Sequence, residues 1–290
     1  MATQRMGFIG LGMMGMPMAL SAARAGIEVV AHDAVPGRAA EFAALAGESH
    51  SDVAASAAEL GAACTVVVLM LPTSAHVAEV THDLAAAMAP GGLIIDMGSS
   101  IPGETRTLAT RLAPHTTLID APVSGSVVKA KSGTLSIMVG GNDAAFAQAE
   151  PYLKTMGTTL VRTGETGSAH AMKALNNFVY AAGLLAVSEA LRIGARQGLD
   201  LSILADVMNA SSGRNIATET KVKQAILPGT YDGGFQLGLM AKDIETAGAM
   251  ADESNYPAEA LTLCRRLWRE AVAARGPRAD NTEIHRFLPE

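Results

Sequence analysis

Cysteine is scarce in this chain: Cys64 and Cys264 are the two residues of that type among 290. Neither sits in a redox or metal-ligand spacing, which argues against a disulfide scaffold and a cysteine-built metal centre. Each reads as a small core residue in a reducing compartment. Aromatic residues make up only 4% of the chain, and charged residues 17%. No basic run or basic–aromatic patch interrupts the sequence, so nucleic acid is not an expected partner. The formal charge of −6 is spread along the chain rather than gathered in a tail. The longest apolar run, Phe178 to Val187, is too short to span a bilayer and reads as a buried helix. The start, Met1-Ala2-Thr3-Gln4-Arg5, has no signal-peptide character. These absences together predict a soluble cytoplasmic protein with no membrane partner.

What the chain does have is apolar material, at 49% of residues, enough for a sizeable core in one large or two ordinary domains. Its most informative feature lies at the front. Met6-Gly7-Phe8-Ile9 reads as a short buried strand that runs into Gly10-Leu11-Gly12-Met13-Met14-Gly15, followed by an apolar helix from about Met16 to Ala25. The six residues fit G-x-G-x-x-G in the strand-to-helix context the motif requires. Gly10 permits the tight turn, Gly12 lets the backbone approach a pyrophosphate, and Gly15 lets helix and strand pack closely. The helix N-terminus then supplies free N–H groups and a positive dipole end.

A second strand, Glu28-Val29-Val30-Ala31-His32, ends at Asp33, about twenty residues past the glycines, where an acid can accept hydrogen bonds from the adenosine ribose. Such an acid repels a 2′-phosphate, so NAD is favoured, with NADP kept open because Arg38 stands close by. The alternative is that Asp33 caps a helix beginning near Pro36.

Strand-like segments at 6–10, 27–32, 64–71, 93–97, 117–120, 135–139 and 158–162 alternate with helical stretches that include Ser74–Met88, Pro102–Leu112 and Asp143–Thr155. Continuous apolar runs such as Thr65 to Leu71 suit a mostly parallel sheet covered on both faces. Residues 1–163 therefore read as a doubly wound α/β domain. After Gly164 only helical patterns remain, at about 167–196, 200–210, 234–253 and 257–275, so 164–290 reads as an all-helical domain. Its first helix is apolar on most faces and is expected to be buried all round, partly against a second subunit.

In a doubly wound sheet the ligand lies beyond the C-terminal ends of the strands. Three polar clusters fall there: Leu71-Pro72-Thr73-Ser74, Asp96-Met97-Gly98-Ser99-Ser100 and Asp120-Ala121-Pro122-Val123-Ser124-Gly125-Ser126. Each is also ordinary turn chemistry, though a Ser-Gly pair offers a hydroxyl and N–H groups to a carboxylate. Farther on, Lys173 and Asn177 lie at i and i+4 on one face of an apolar helix, with Asn176 turned about 100° away. A lysine there is either partnered, functional or snorkelling to water, and burial would lower its pKa toward acid–base use. Lys242-Asp243 alone reads as a surface pair.

Taken in order, these motifs resemble the β-hydroxyacid dehydrogenase family along essentially the whole chain. The resemblance runs from Gly7 to Met18, through Met70-Leu71-Pro72 and Asp96 to Ser99, to Asp120–Gly125 and Gly133-Thr134-Leu135. It ends with Gly164, Gly167, Lys173, Asn176 and Asn177, and with Lys242-Asp243. It implies an N-terminal Rossmann-type sheet and an all-helical C-terminal domain of the 6-phosphogluconate dehydrogenase-like type, a homodimer or homotetramer, and no metal. It also implies hydride exchange between a nicotinamide and a small 3-hydroxy acid of the 3-hydroxyisobutyrate kind. In that reading Lys173 is the general acid/base, and Ser124, Gly125 and Asn177 hold the substrate, with Arg214 a further carboxylate candidate. Gly10, Leu11, Gly12, Met13, Met14, Gly15, Asp33, Leu71, Pro72, Ser99 and Lys242 hold the cofactor. A reductase drawing hydride toward a small semialdehyde, of the tartronate or succinate type, is the alternative. A non-catalytic nucleotide-binding module is disfavoured, because such relatives lose the lysine.

The chain departs from the pattern in two places. Ser126 and Lys129 stand where the family usually has glycines, with Lys131 close by, which suggests a substrate with a second anionic group unless both lysines face solvent. Gly98-Ser99 replaces the usual Ser-Thr and loses one hydroxyl near the cofactor.

Overall fold

The computed structural model describes residues 5–47 and 50–289; Met1–Gln4, on which the leader expectation partly rests, lie outside them. The chain divides into a sheet unit, Met1–Met172, and a helical unit, Lys173–Glu290. The strands are β1 (Arg5–Ile9), β2 (Glu28–His32), β3 (Ser51–Val53), β4 (Val66–Leu69), β5 (Gly92–Asp96), β6 (Thr116–Asp120), β7 (Val123–Ser124), β8 (Leu135–Gly140) and β9 (Gly157–Gly164). They form one sheet in the order β3-β2-β1-β4-β5-β6-β8-β7, with β9 paired to β8. Neighbours from β3 to β6 are parallel, β8 runs antiparallel to β6 and β7, and β9 is parallel to β8. This is a Rossmann-type doubly wound sheet with a mixed edge.

Helices α1 (Gly15–Arg24), α2 (Arg38–Ala46), α3 (Ala57–Ala63), α4 (Ser74–Ala87), α5 (Pro102–Leu112), α6 (Val127–Ser132) and α7 (Asp143–Leu153) connect the strands. The two-residue period of β4 explains why both faces are covered. Val66 and Val68 join the core that contains Phe8, Val29 and Ile95, whereas Val67 and Leu69 join the opposite core with Ile9, Val30 and Ile94. Each fully buried aliphatic side chain of this kind stabilises by about 1.5–3 kcal/mol, an upper figure. The apolar runs therefore dictate a central, doubly covered strand.

The long helix α8 (Ser168–Arg196) starts in the sheet unit and continues into the helical one. It is followed by α9 (Leu201–Ala210), a π-helix over Thr218–Ile226, α10 (Leu237–Glu253), α11 (Glu259–Arg275), a 3-10 turn and α12 (Ile284–Phe287). Leu184 and Leu191 of α8 pack with Met240, Ile244 and Trp268 in that unit's core. By length and composition alone α8 is also apolar enough to cross a membrane, but these contacts make it a core helix of the unit. The expectation that α8 is buried on every side is not met within the single chain. Val179 is 69% exposed and Ile193 62%, since one stripe of the helix faces the core and the opposite stripe does not.

Candidate active site

In the sheet unit the glycine loop has the geometry a pyrophosphate cradle needs. Gly10 has φ +97, and a Cβ placed there would lie 2.4 Å from the carbonyl oxygen of Met70. A Cβ on Gly15 would lie 1.8 Å from the carbonyl oxygen of Gly10. By contrast, a Cβ on Gly12 would meet nothing within 4 Å. The first and third glycines are therefore demanded by the protein's own packing, and the second leaves open space over the start of α1. That open space, beside an exposed Met13 (61%), fits a dinucleotide.

Asp33 closes the loop from the side. The backbone N–H of Leu11 donates to its Oδ2 at 2.6 Å, and the N–H of Val35 donates to its Oδ1 at 2.7 Å. The carboxylate is thus fixed against the glycine loop with acceptor capacity left on both oxygens. Asp33 does not cap α2, which begins at Arg38 after a left-handed Gly37. Arg38 pairs with Glu41 at 3.1 Å. Leu11 contributes mainly its backbone, because its side chain is fully buried in the core.

Beyond β5, Asp96 accepts from the N–H of Gly98 at 2.9 Å and from the Ser100 hydroxyl at 2.6 Å, which shapes the turn that carries Ser99. At Gly98, where the family usually has a hydroxyl-bearing residue, an added Cβ would lie 2.9 Å from the carbonyl oxygen of Leu71, so this backbone would have to shift to take one. Leu71, Pro72 and Ser99 all stand on loops after strand ends, as their positions predicted. Ser124 ends β7, paired with Ser136 of β8, and Gly125 follows with φ +143. A cavity of about 480 Å³ opens between α4 and α5, lined by Ser74, Asp96, Ser100, Thr105 and Arg111 among others; Ser74, Asp96 and Ser100 come from two of the polar clusters, but no residue assigned to substrate or cofactor lines it.

In the sequence Asp120 reads as part of a polar turn and of the Asp120–Gly125 motif, and nothing marks His170. Asp120 is fully buried and accepts from the N–H groups of Gly167 (2.7 Å) and His170 (2.8 Å), so it caps the first turn of α8 from across the fold. The His170 ring is buried beside it. Its Nδ1 is 2.9 Å from the Thr105 hydroxyl, and its Nε2 is 3.8 Å from Asp96 Oδ2. No local signal points to these contacts, because the partners lie 47 to 74 residues away.

In the helical unit, α8 carries Lys173 and Asn177 one turn apart, as the spacing predicted. Burial pushes the Lys173 ammonium below the ordinary lysine range; the charge of Lys242 acts in the same direction and that of Asp243 opposes it. Asn177 is 4% exposed, and its side-chain nitrogen donates to Asp243 Oδ2 at 2.5 Å. Asn176 donates to Asn177 Oδ1 at 3.2 Å. Asp243 is itself 3% exposed, with Lys242 Nζ 3.8 Å from its Oδ1. The reading of Lys242-Asp243 as a surface pair is corrected on this point: the acid is buried. A signal existed, since Asp243 lies three residues after buried Met240 and four before buried Ala247, on the apolar face of α10. Arg214 is exposed and lies 3.4 Å from Glu219.

The comparisons with known proteins cover both units. The model of the NAD binding domain of 6-phosphogluconate dehydrogenase matches residues 5–164, and that of the NAD-binding of NADP-dependent 3-hydroxyisobutyrate dehydrogenase matches 167–288. The mitochondrial 3-hydroxyisobutyrate dehydrogenase of Homo sapiens is 34% identical over 290 residues, covering 98% of this chain and 86% of that one. The 2-(hydroxymethyl)glutarate dehydrogenase of Eubacterium barkeri is 31% identical over 280 residues, covering 97% and 93%. The solved structure of Mycobacterium tuberculosis 3-hydroxyisobutyrate dehydrogenase with L-serine superposes with a TM-score of 0.92 at 29% identity, covering 99% of this chain and 100% of that one. A Rossmann-type sheet unit, family models that together match nearly the whole chain, and relatives of this identity over most of their length make the chain a member of the β-hydroxyacid dehydrogenase family.

Proposed function

We propose that this chain is an NAD-dependent dehydrogenase of a small 3-hydroxy acid of the 3-hydroxyisobutyrate kind, with Lys173 as its general acid/base. The observation that carries the reading is the Lys173–Asn177–Asp243 cluster, in which a lysine with a lowered pKa shares its surroundings with a buried acid and a buried amide. When bound, the nicotinamide supplies the hydride acceptor for oxidation or the donor for reduction. In oxidation, the neutral Lys173 amine takes the proton of the substrate hydroxyl as the carbon loses hydride. In reduction, the ammonium returns that proton to the carbonyl oxygen. Asn177, oriented by Asp243, positions the hydroxyl or carboxylate, while the Ser124 hydroxyl and the Gly125 N–H bind the carboxylate. Gly10, Gly12 and Gly15 with Met13 and Met14 cradle the pyrophosphate, Asp33 holds the adenosine ribose, and Leu71, Pro72, Ser99 and Lys242 contact the remainder of the cofactor. A screen of 3-hydroxy acids with NAD and with NADP, followed by the absorbance of reduced nicotinamide, tests the reading; no turnover of any 3-hydroxy acid removes it.

The preference for NAD rests on the Asp33 carboxylate. Asp33→Ala is expected to shift the kcat/KM ratio of NAD to NADP toward NADP by about tenfold or more, since both a ribose acceptor and a repulsive charge disappear, about 1.4 kcal/mol per tenfold. An unchanged ratio would sink the assignment.

A homodimer or homotetramer in the cytoplasm completes the reading. Its support is the apolar exposure on α8 and α9, where Val179, Ile193, Ile203 and Val207 are all more than half exposed. Sedimentation at the mass of a single chain would remove the oligomer, and recovery of the protein in an organelle fraction would remove the location.

A further inference from the structure

The substrate loop carries a cation that the reaction does not require. Lys129 stands on α6, two residues into a helix that follows Ser124-Gly125-Ser126 directly. Its stem lies across the loop: a Cβ on Gly125 would come within 3.0 Å of Lys129 Cδ and 3.1 Å of Lys129 Cβ. The side chain thus occupies the ground beside the proposed carboxylate-binding backbone. Both Lys129 and Lys131 are exposed, as the solvent-facing alternative expects, so what sets Lys129 apart is its stem against Gly125. Lys131, two positions on, is turned about 200° around the helix. The backbone carbonyl at that position accepts from Arg24 at the C-terminal end of α1.

We propose that Lys129 selects 3-hydroxy acids bearing a second carboxylate, which it binds while Ser124 and Gly125 hold the first. This rests on the substrate reading above and names the class that reading leaves open. A strongly hydrated point charge on a flexible stem suits a second carboxylate whose distance from the first varies. A small apolar side chain on the substrate would leave the ammonium with nothing to bind.

The test compares the native protein, Lys129→Ala and Lys131→Ala on hydroxymethylsuccinate and on hydroxymethylbutyrate, which has a methyl in place of the second carboxylate. Lys129→Ala is expected to raise KM for the diacid about tenfold or more, with kcat, the KM for NAD and the KM for the monoacid each within about twofold; Lys131→Ala is expected to change none of these. An equal change for both acids, no change for either, or the same effect from Lys131→Ala overturns the proposal. Should native protein turn over neither acid, the dehydrogenase reading fails on its own, and calorimetric titration of the NAD-saturated protein with methylsuccinate and methylbutyrate still decides the matter. Tighter binding of methylsuccinate that is lost in Lys129→Ala supports the subsite. Equal binding by the two proteins, or none by either, overturns it.

Discussion

Lys173→Ala is expected to lower kcat by about a hundredfold to ten-thousandfold, the range of a lost general acid/base, or about 3–5 kcal/mol of barrier. Affinity for NAD and the melting temperature should stay near native, because Lys173 belongs to neither the glycine loop nor the sheet core. The pH profile sharpens the test. Oxidation needs the neutral amine, so its rate should rise with pH through the Lys173 pKa; reduction needs the ammonium, so its rate should fall through the same value. Burial and Lys242 set that value below the ordinary lysine range, whereas Asp243 holds it up. Asp243→Asn, which keeps the shape beside Asn177, should therefore move both limbs to lower pH. A Lys173→Ala enzyme with native turnover, or limbs that stay in place in Asp243→Asn, would show that another group moves the proton.

The second large effect separates two glycines only three residues apart. Gly15→Ala should destabilise the protein by about 2–3 kcal/mol, a melting-temperature drop of about 5–10 °C. Its new methyl would sit 1.8 Å from a backbone oxygen and 3.3 Å from the Phe8 ring, neither of which is a flexible chain end. Gly12→Ala should leave the melting temperature of the cofactor-free protein within about 1 °C, because nothing in the protein lies within 4 Å of the added carbon. Its effect should appear on the ligand, as a loss of NAD affinity of about tenfold or more, since the methyl occupies the ground over which the pyrophosphate approaches. Thermal melts with and without NAD read both quantities. Unaltered NAD binding by Gly12→Ala would show that the dinucleotide lies elsewhere.

The parts legible in the sequence are those whose signal is local and repeated. The run Val66–Leu69 is apolar at every position because both faces of β4 are covered, and it reads as a central strand without any partner being known. Gly10, Gly12, Gly15 and Asp33 share one strand–turn–helix–strand unit, so their spacing alone locates the cradle. Lys173 and Asn177 are one helical turn apart. What escaped is either very short or very distant. β3 and β7 have three and two residues, too few for any period to show. The π-helix over Thr218–Ile226 depends on a backbone register that side-chain polarity does not encode. The polar cluster of Asp96, Asp120 and His170 is assembled by the sheet from three separate segments. Asp243 lies between: its place on the apolar face of α10 is visible in the pattern, but its partner on α8 is 66 residues back.

Asp120 bears on how the chain can be cut and rejoined. The first turn of α8 has no acid of its own, and two of its amide groups are held by a carboxylate at the end of β6. The helix that carries Lys173 therefore owes its starting point to the sheet. The division between units falls at Met172, inside α8 and less than one turn after the last amide that Asp120 holds. A chimaera joined there would keep Asp120 and both amides it holds in one parent and would place the seam inside the helix, directly before Lys173. A junction before Gly167 would instead pair Asp120 with another parent's amides, so an exchange of helical units that leaves the cap intact takes its seam after His170, and the first turn of α8 travels with the sheet.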